Sequence, residues 1–534
     1  MKKITALITA AAMFFCLAVS ALGYSNKGEI TEEEGLIIEG LFNGMTYEEE
    51  LPQYDGLGGR FGMHFADFVW VDDVLYSYYI RGENGKSCIG LATSTDGINF
   101  EDKGLVINAD SGFDLLMASF AGVWYEDGVF YVTYEALPET DDGANIALAT
   151  STDGVHFDKK GIILYHDRSL GWQNYNIGTP DLYKVGDMWY LTFHGFGNQK
   201  KDCQIGVAYG TDLFNLTMVD HPVIETSNDP NDPDCGTCGR RDVIYYNGWY
   251  YMTYEISTDG GKINRNLGDD LGVEGKYYYD FSGSSWGHKF ARSRDMINWE
   301  KIPYLLHDTY TGDYAYDGPS WLVKDGEVFI YYRGLGVRTC VIQLKSNAVR
   351  KTDSSTGVSL VTHKDAEFSV LREKEGAFFE MAQSIPSISA FRAYKTETTL
   401  SGKQYTAPVS DRCRVEIPQF WIKNRAAVAA TDEQGNLTEI ESVMTEQDGK
   451  SYLTFDGGVN REFLLVYKKS VRQGDINFDG RVSAVDALLA LQTAVGSRRL
   501  SIYQPDAADL DGDGEITAND AFSILLSTVG KAAE

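Results

Sequence analysis

A chain of 534 residues, 43% of them hydrophobic, is long enough for several packed domains. Its net charge of -30, with no cluster of Lys and Arg, excludes a nucleic-acid backbone as partner, because polyanion binding needs concentrated positive charge. No apolar run after the first twenty or so residues is long enough to span a membrane.

Residues 1–23 read as a signal peptide, with Lys2 and Lys3, an apolar run over residues 4–19 and small residues at Ser20, Ala21 and Gly23. The mature chain is therefore expected to be secreted and soluble. Cys88, Cys203, Cys235, Cys238, Cys340 and Cys413 remain after that segment; Cys235-Gly236-Thr237-Cys238 has no second half-site for zinc and reads as a local disulfide or free thiols.

From about residue 60 a pattern recurs: an apolar strand, a turn with Asp, Asn or Gly, and an aromatic-rich return strand. Tyr76, Tyr131, Tyr190, Tyr251 and Phe329 anchor five copies, spaced 55 to 61 residues apart with one gap of 78. The first two copies end almost identically, in Thr93-Ser94-Thr95-Asp96-Gly97 and Thr150-Ser151-Thr152-Asp153-Gly154. Four strands per copy is the repeat logic of propeller blades, so the expectation is a five-bladed β-propeller over residues 30–350. The long gap reads as a Gly- and Asp-rich insertion over residues 257–285, and the segment before residue 60 as the source of a strand that closes the ring. Residues 351–470 lose the repeat but keep strand patterns, for example Arg414-Val415-Glu416-Ile417, and read as a β-sandwich-like accessory domain.

Residues 471–534 carry two loops in one register. Asp475, Asn477, Asp479, Ser483 and Asp486, and then Asp509, Asp511, Asp513, Thr517 and Asp520, place oxygen side chains at loop positions 1, 3, 5, 9 and 12. Gly480 and Gly514 sit at position 6, and Arg481 and Glu515 supply the backbone carbonyl at position 7. Such a hard oxygen cage suits calcium, and two loops imply two ions. Each loop enters an apolar helix, with Asp at position 12 where the usual helix-loop-helix hand has Glu. This segment resembles a dockerin module of the cellulosome type, a small all-α calcium-binding fold. The resemblance implies that a cohesin module of a scaffold protein docks near Ala484-Val485 and Ala518-Asn519, and that the chain is extracellular and cellulosome-associated.

Nine residues before each anchor lie Asp67, Gly122, Asp181, Asp242 and Ser320. If the repeats surround an axis, three carboxylates converge on it, and glycoside hydrolysis needs two carboxyl groups flanking the bond. The positions four beyond the anchors are Ile80, Glu135, His194, Glu255 and Arg333; alternation returns them to the same rim. Glu255 or Glu135 is thus a second candidate acid, with His194 and Arg333 placed to grip sugar hydroxyls. Trp172 and Trp286, read as loop residues, are candidate stacking platforms for sugar faces. By the same alternation Arg241 points away from Asp242, and Arg240 shares its face.

Residues 40–350 resemble the five-bladed glycosidases of families 43, 32 and relatives. The resemblance implies that Asp67 is the general base, that Asp181 positions it and raises the acid's pKa, and that Asp242 holds the acid's place, with inversion as the outcome. The family carries Glu where this chain has Asp242. The expected function is a secreted cellulosomal glycoside hydrolase acting on plant cell-wall polysaccharide or oligosaccharide. The alternative is a non-catalytic carbohydrate-binding propeller carried by its dockerin. A metal within the propeller is left open by the sequence.

Overall fold

The computed structural model describes residues 23–529 except 26–27, 51–63, 141–142, 198–202, 259–261, 265–277, 281–284, 304, 307–309, 312–316, 335–337, 401–411, 433, 448 and 457–461. The signal-peptide segment and most of the insertion at 257–285 lie outside the described residues. The chain divides into two compact units, Met1–Ser346 and Asn347–Glu534. Among the described residues no helix is long and apolar enough to cross a membrane.

The first unit is a propeller-type stack of four-stranded antiparallel sets. The first set runs His64–Val71, Val74–Glu83, Lys86–Ser94 and Glu101–Ile107. The second runs Met117–Glu126, Val129–Leu137, Asn145–Ser151 and Asp158–Leu164. The third is Asn176–Val185, Met188–Phe196, Cys203–Gly210 and the short Thr217–Met218. The fourth is Thr237–Tyr246, Trp249–Ser257, Ser285–Ser293 and Trp299–Lys301. The fifth joins Asp317–Lys324, Glu327–Gly334 and Arg338–Ser346 to Thr46–Glu50, so the segment before residue 60 does supply the closing strand.

Local chemistry explains the hairpins. Asp127-Gly128, Asn247-Gly248 and Asp325-Gly326 each put two successive residues at positive φ, the conformation of the tight turn whose twist matches its flanking strands. The aromatic return strands then bury their rings between neighbouring sets: Trp124 meets Tyr183 and Trp189 edge-on, and Trp321 packs on Phe290. Among the described residues Cys88, Cys203, Cys235, Cys238 and Cys413 are free thiols.

Within the second unit two five-stranded sheets face each other. Leu360, Cys413, Leu453 and Phe455 from one sheet bury against Tyr394, Val428, Phe463 and Leu465 from the other, which makes a sandwich. Helices Ala484–Ala494 and Ala518–Thr528 pair with each other through Leu489, Ala490, Ala521 and Ile524. The segment linking the two loops does not hang free. Ile502 and Tyr503 pack against Phe378, Ile385, Leu464 and Val466 on the sandwich's outer face. The Ser387 hydroxyl donates to the Ile502 carbonyl, and the Lys468 ammonium lies 4.9 Å from the Tyr503 ring centre. Truncating Tyr503 to Ala is expected to destabilise this unit by about 3–5 kcal/mol, the usual cost of deleting a buried aromatic ring. Scanning calorimetry of the full chain checks this; an unshifted transition would mean the ring anchors nothing.

Candidate functional site

Every inner strand of the first unit carries a register shift just before the position shared by the three aspartates: between His64 and Asp67, Ser119 and Gly122, Gly178 and Asp181, Cys238 and Arg241, and Asp317 and Ser320. At these bulges Phe65, Phe120, Thr179 and Gly318 adopt positive φ. A bulge bends its strand and re-aims the side chains ahead of it.

Downstream of the bulges Asp67, Asp181 and Asp242 are all buried, and one carboxylate oxygen from each lies within 4.8 Å of the others. The three repeats thus bring their carboxylates together. Asp67 accepts the Phe68 N–H at 2.9 Å and, from the next repeat, the Val123 N–H at 2.7 Å. Asp242 likewise accepts the Trp321 N–H of the following repeat at 2.8 Å. The second repeat has no carboxylate here for a steric reason: a Cβ on Gly122 would stand 2.4 Å from the Pro180 carbonyl oxygen.

A second layer of groups lies at the return-strand positions. Glu135 accepts the Thr179 N–H at 3.1 Å, and Glu255 accepts the Gly318 N–H at 2.8 Å, so each glutamate holds a bulge of a neighbouring repeat. Glycine makes room for both, since a Cβ on Gly178 or Gly239 would collide with the Glu135 or Glu255 carboxyl. Burial pushes Glu135 up to about 7 against the N–H of Thr179, the Asn176 amide and the nearby Arg241 charge. Burial also pushes Glu255 up to about 7, against the Gly318 N–H and the charges of Arg240, Arg241 and Arg333. Both carboxyls therefore hold protons near neutral pH more readily than ordinary glutamates.

His194 sits beside Glu135, with Nδ1 2.7 Å from the Thr179 hydroxyl. Burial and the Arg241 charge hold its imidazole well below the usual range, so it is neutral. Arg241 is buried and donates to the Thr179 hydroxyl at 2.7 Å and to the Thr179 carbonyl. Desolvation pulls its guanidinium down to about 10, with Asp181 as the leading opposing charge. Arg241 and Asp242 do face different neighbours, the third and fifth repeats. The expected sharing of a face by Arg240 and Asp242 fails: the bulge turns Arg240 to the carbonyls of Ala66 and Ala121 instead. Arg333 is half-buried and counts among the charges acting on Glu255. Trp172 stacks on Phe193 at 5.9 Å and donates its indole N–H to the Asp220 carbonyl. Trp286, expected in a loop, lies within strand Ser285–Ser293 and is 3% exposed, because pairing with Ser257 continues the return strand of that repeat.

Sequence reasoning assigned Thr179 no role and judged Arg241 only by alternation, yet Thr179 is the hub on which Glu135, His194 and Arg241 meet. The readable signal was Gly178-Thr179-Pro180 ahead of Asp181, a glycine and a proline breaking the strand pattern where the bulge falls.

In the second unit the loop oxygens turn inward on their own backbone. Asp475 accepts the Gly480 N–H and Asp509 the Gly514 N–H, each at 2.9 Å. Asp486 and Asp520 close their loops and also cap the following helices, each in a reciprocal box with Ser483 or Thr517. Asp509, Asp511 and Asp520 offer oxygens within 4.8 Å of one another. Asp513 donates its N–H to Asp511, which lowers that carboxyl, but burial and the neighbouring carboxylates of Asp513, Asp520 and Asp509 raise it overall. A hard divalent cation relieves such crowding, so this donor set fits calcium. The helices leave Leu488, Leu491 and Val495, and in the same register Phe522, Leu525 and Val529, exposed to solvent.

Residues 473–524 match the model of the dockerin type I domain. No curated protein sequence matches the chain. Among solved structures, the chain is similar to a thermostable family-43 glycoside hydrolase at 17% identity, covering 57% of this chain and 95% of that one, with a TM-score of 0.39. It is also similar to the Cellvibrio cellulosa alpha-L-arabinanase complexed with arabinohexaose, at 11% identity over 55% and 93% of the two chains, TM-score 0.38. A third is the GH43 endo-arabinanase from Bacillus licheniformis, at 13% identity over 57% and 98%, TM-score 0.37. The C-terminal match implies a calcium-binding dockerin with a cohesin as its partner.

Proposed function

We propose that the protein is a secreted cellulosomal glycoside hydrolase that cleaves plant cell-wall polysaccharide or oligosaccharide, with its five four-stranded sets as five blades around one axis. The observation that carries this reading is the convergence of Asp67, Asp181 and Asp242 within 4.8 Å in the same layer of the repeats. Asp67 activates water, and Asp181 and Asp242 support it. Glu255 is the better acid, because burial holds it near 7 and a general acid must arrive protonated. Asp242 stands too close to Asp67 to be the acid, since inverting pairs lie roughly 6.5–9.5 Å apart. Asp67 and Asp242 present oxygens within 4.8 Å of each other. Inversion is accordingly proposed with Glu255 as acid. His194 and Arg333 bind sugar hydroxyls, with Trp172 and Trp286 bordering them. Two calcium ions in the loops of residues 475–486 and 509–520 order the docking helices.

The test is a panel of arabinan, xylan and aryl-glycoside substrates, with the anomer released followed by NMR. Activity is expected to fall as pH rises through about 7, where Glu255 gives up its proton, and Glu255→Gln is expected to remove that limb along with most turnover. A wild-type alkaline limb that survives in Glu255→Gln would sink the assignment.

One observation favours the second reading, a non-catalytic glycan-binding propeller. Both oxygens of Asp67 accept backbone N–H groups, and Asp242 holds Trp321, which is what a purely structural residue does. Glycan binding without Asp67-dependent turnover would establish that reading instead.

A further inference from the structure

We propose that Arg240 is a positioning residue that crosses the centre of the first unit, fixing the backbone ahead of Asp67 while presenting its charge to Glu255; the proposal rests on the glycosidase reading above. Arg240 belongs to the fourth repeat. Its Nη2 donates to the Ala66 carbonyl of the first repeat at 3.0 Å and to the Ala121 carbonyl of the second at 3.2 Å. Neither repeat is the fourth's neighbour in chain order, so one guanidinium reaches both only near the middle of the stack.

Ala66 is the residue before Asp67 and follows the positive-φ Phe65. Its carbonyl also accepts the Ser320 hydroxyl of the fifth repeat at 2.8 Å. Two repeats thus clamp the strained backbone that aims Asp67. The Nε and Nη1 of Arg240 have no hydrogen-bond partner among the described residues, and the acceptors of its Nη2 are neutral carbonyls. Glu255 feels that charge together with Arg241, Arg333, the Gly318 N–H and the Cys203 thiol. A rigid fork that holds carbonyls while projecting charge suits Arg rather than Lys.

The experiment follows the Glu255 carboxyl by infrared difference titration of the full chain, assigned with Glu255→Gln, beside kcat–pH profiles. In Arg240→Gln the Glu255 titration and the alkaline limb are expected to move to higher pH, with kcat lower by about 10²-fold from misplacement of Asp67. Arg240→Lys keeps the charge and is expected to lower kcat while leaving the titration in place. Ser320→Ala removes only the second clamp and is expected to lower kcat without moving the alkaline limb. An unmoved Glu255 titration in Arg240→Gln overturns the proposal, and so does wild-type kcat in Arg240→Lys. If the wild type hydrolyses nothing while Arg240→Gln still shifts Glu255, the coupling stands and the glycosidase reading falls.

Discussion

Replacing Asp67 with Asn is expected to lower kcat/KM by about 10²–10⁴-fold, the range that a positioned general base contributes. The substitution keeps the size of the side chain but removes the charge that would draw a proton from water. It also leaves an amide facing the Val123 N–H, which Asp67 now accepts at 2.7 Å. If that amide cannot turn its oxygen to Val123, a buried donor goes unsatisfied at a cost of about 1–3 kcal/mol. Kinetics and thermal melting must therefore be read together. Lost turnover with a small fall in Tm identifies a chemical role; a collapse of the fold with turnover per folded molecule unchanged identifies a stitch between repeats. Turnover unaffected in a well-folded Asp67→Asn would end the assignment of Asp67 as base.

Removing calcium is the second large perturbation. A ligand present at about a thousand times its Kd stabilises the folded state by about 4 kcal/mol per site, so two filled loops hold a large share of a small domain's stability. Chelation of the full chain is expected to melt helices Ala484–Ala494 and Ala518–Thr528, seen as lost helical circular dichroism, and to abolish cohesin binding. Because Ile502 and Tyr503 lie between the two loops and pack on the sandwich, the melting transition of residues 347–470 is expected to fall as well. An identical thermogram in calcium and in chelator would refute the two-ion reading.

Much of this was legible in the sequence because it was periodic. Tyr76, Tyr131, Tyr190, Tyr251 and Phe329 marked the repeats, and counting back from them found the three aspartates that converge. The calcium loops were readable for the same reason, since spacing alone fixes which oxygens meet. What escaped was the bulge. A period of two assumes an unbroken strand, and one extra residue per inner strand turned Arg240 toward the first and second repeats rather than along the face of Asp242. Positive φ at Phe65 and Phe120 has no composition signal, because neither residue favours that conformation and only the surrounding clamps enforce it. Trp286 was misplaced for a related reason: the Gly-rich insertion before it hid the point where the strand resumes.

The strand Thr46–Glu50 pairs with Arg338–Ser346, which the chain supplies about 300 residues later. A contact of that separation carries a high entropy of closure and slows folding relative to local hairpins. Until its partner arrives, Thr46-Tyr47-Glu48-Glu49-Glu50 is an open edge, and three successive glutamates make it a poor template for another chain. The charge that protects the waiting strand is tolerated in the finished sheet because the strand stays at its edge, with a neighbour on one side only. Neutralising the three glutamates should therefore leave the native melting temperature nearly unchanged while refolding yield falls with protein concentration, a cost visible only in kinetics.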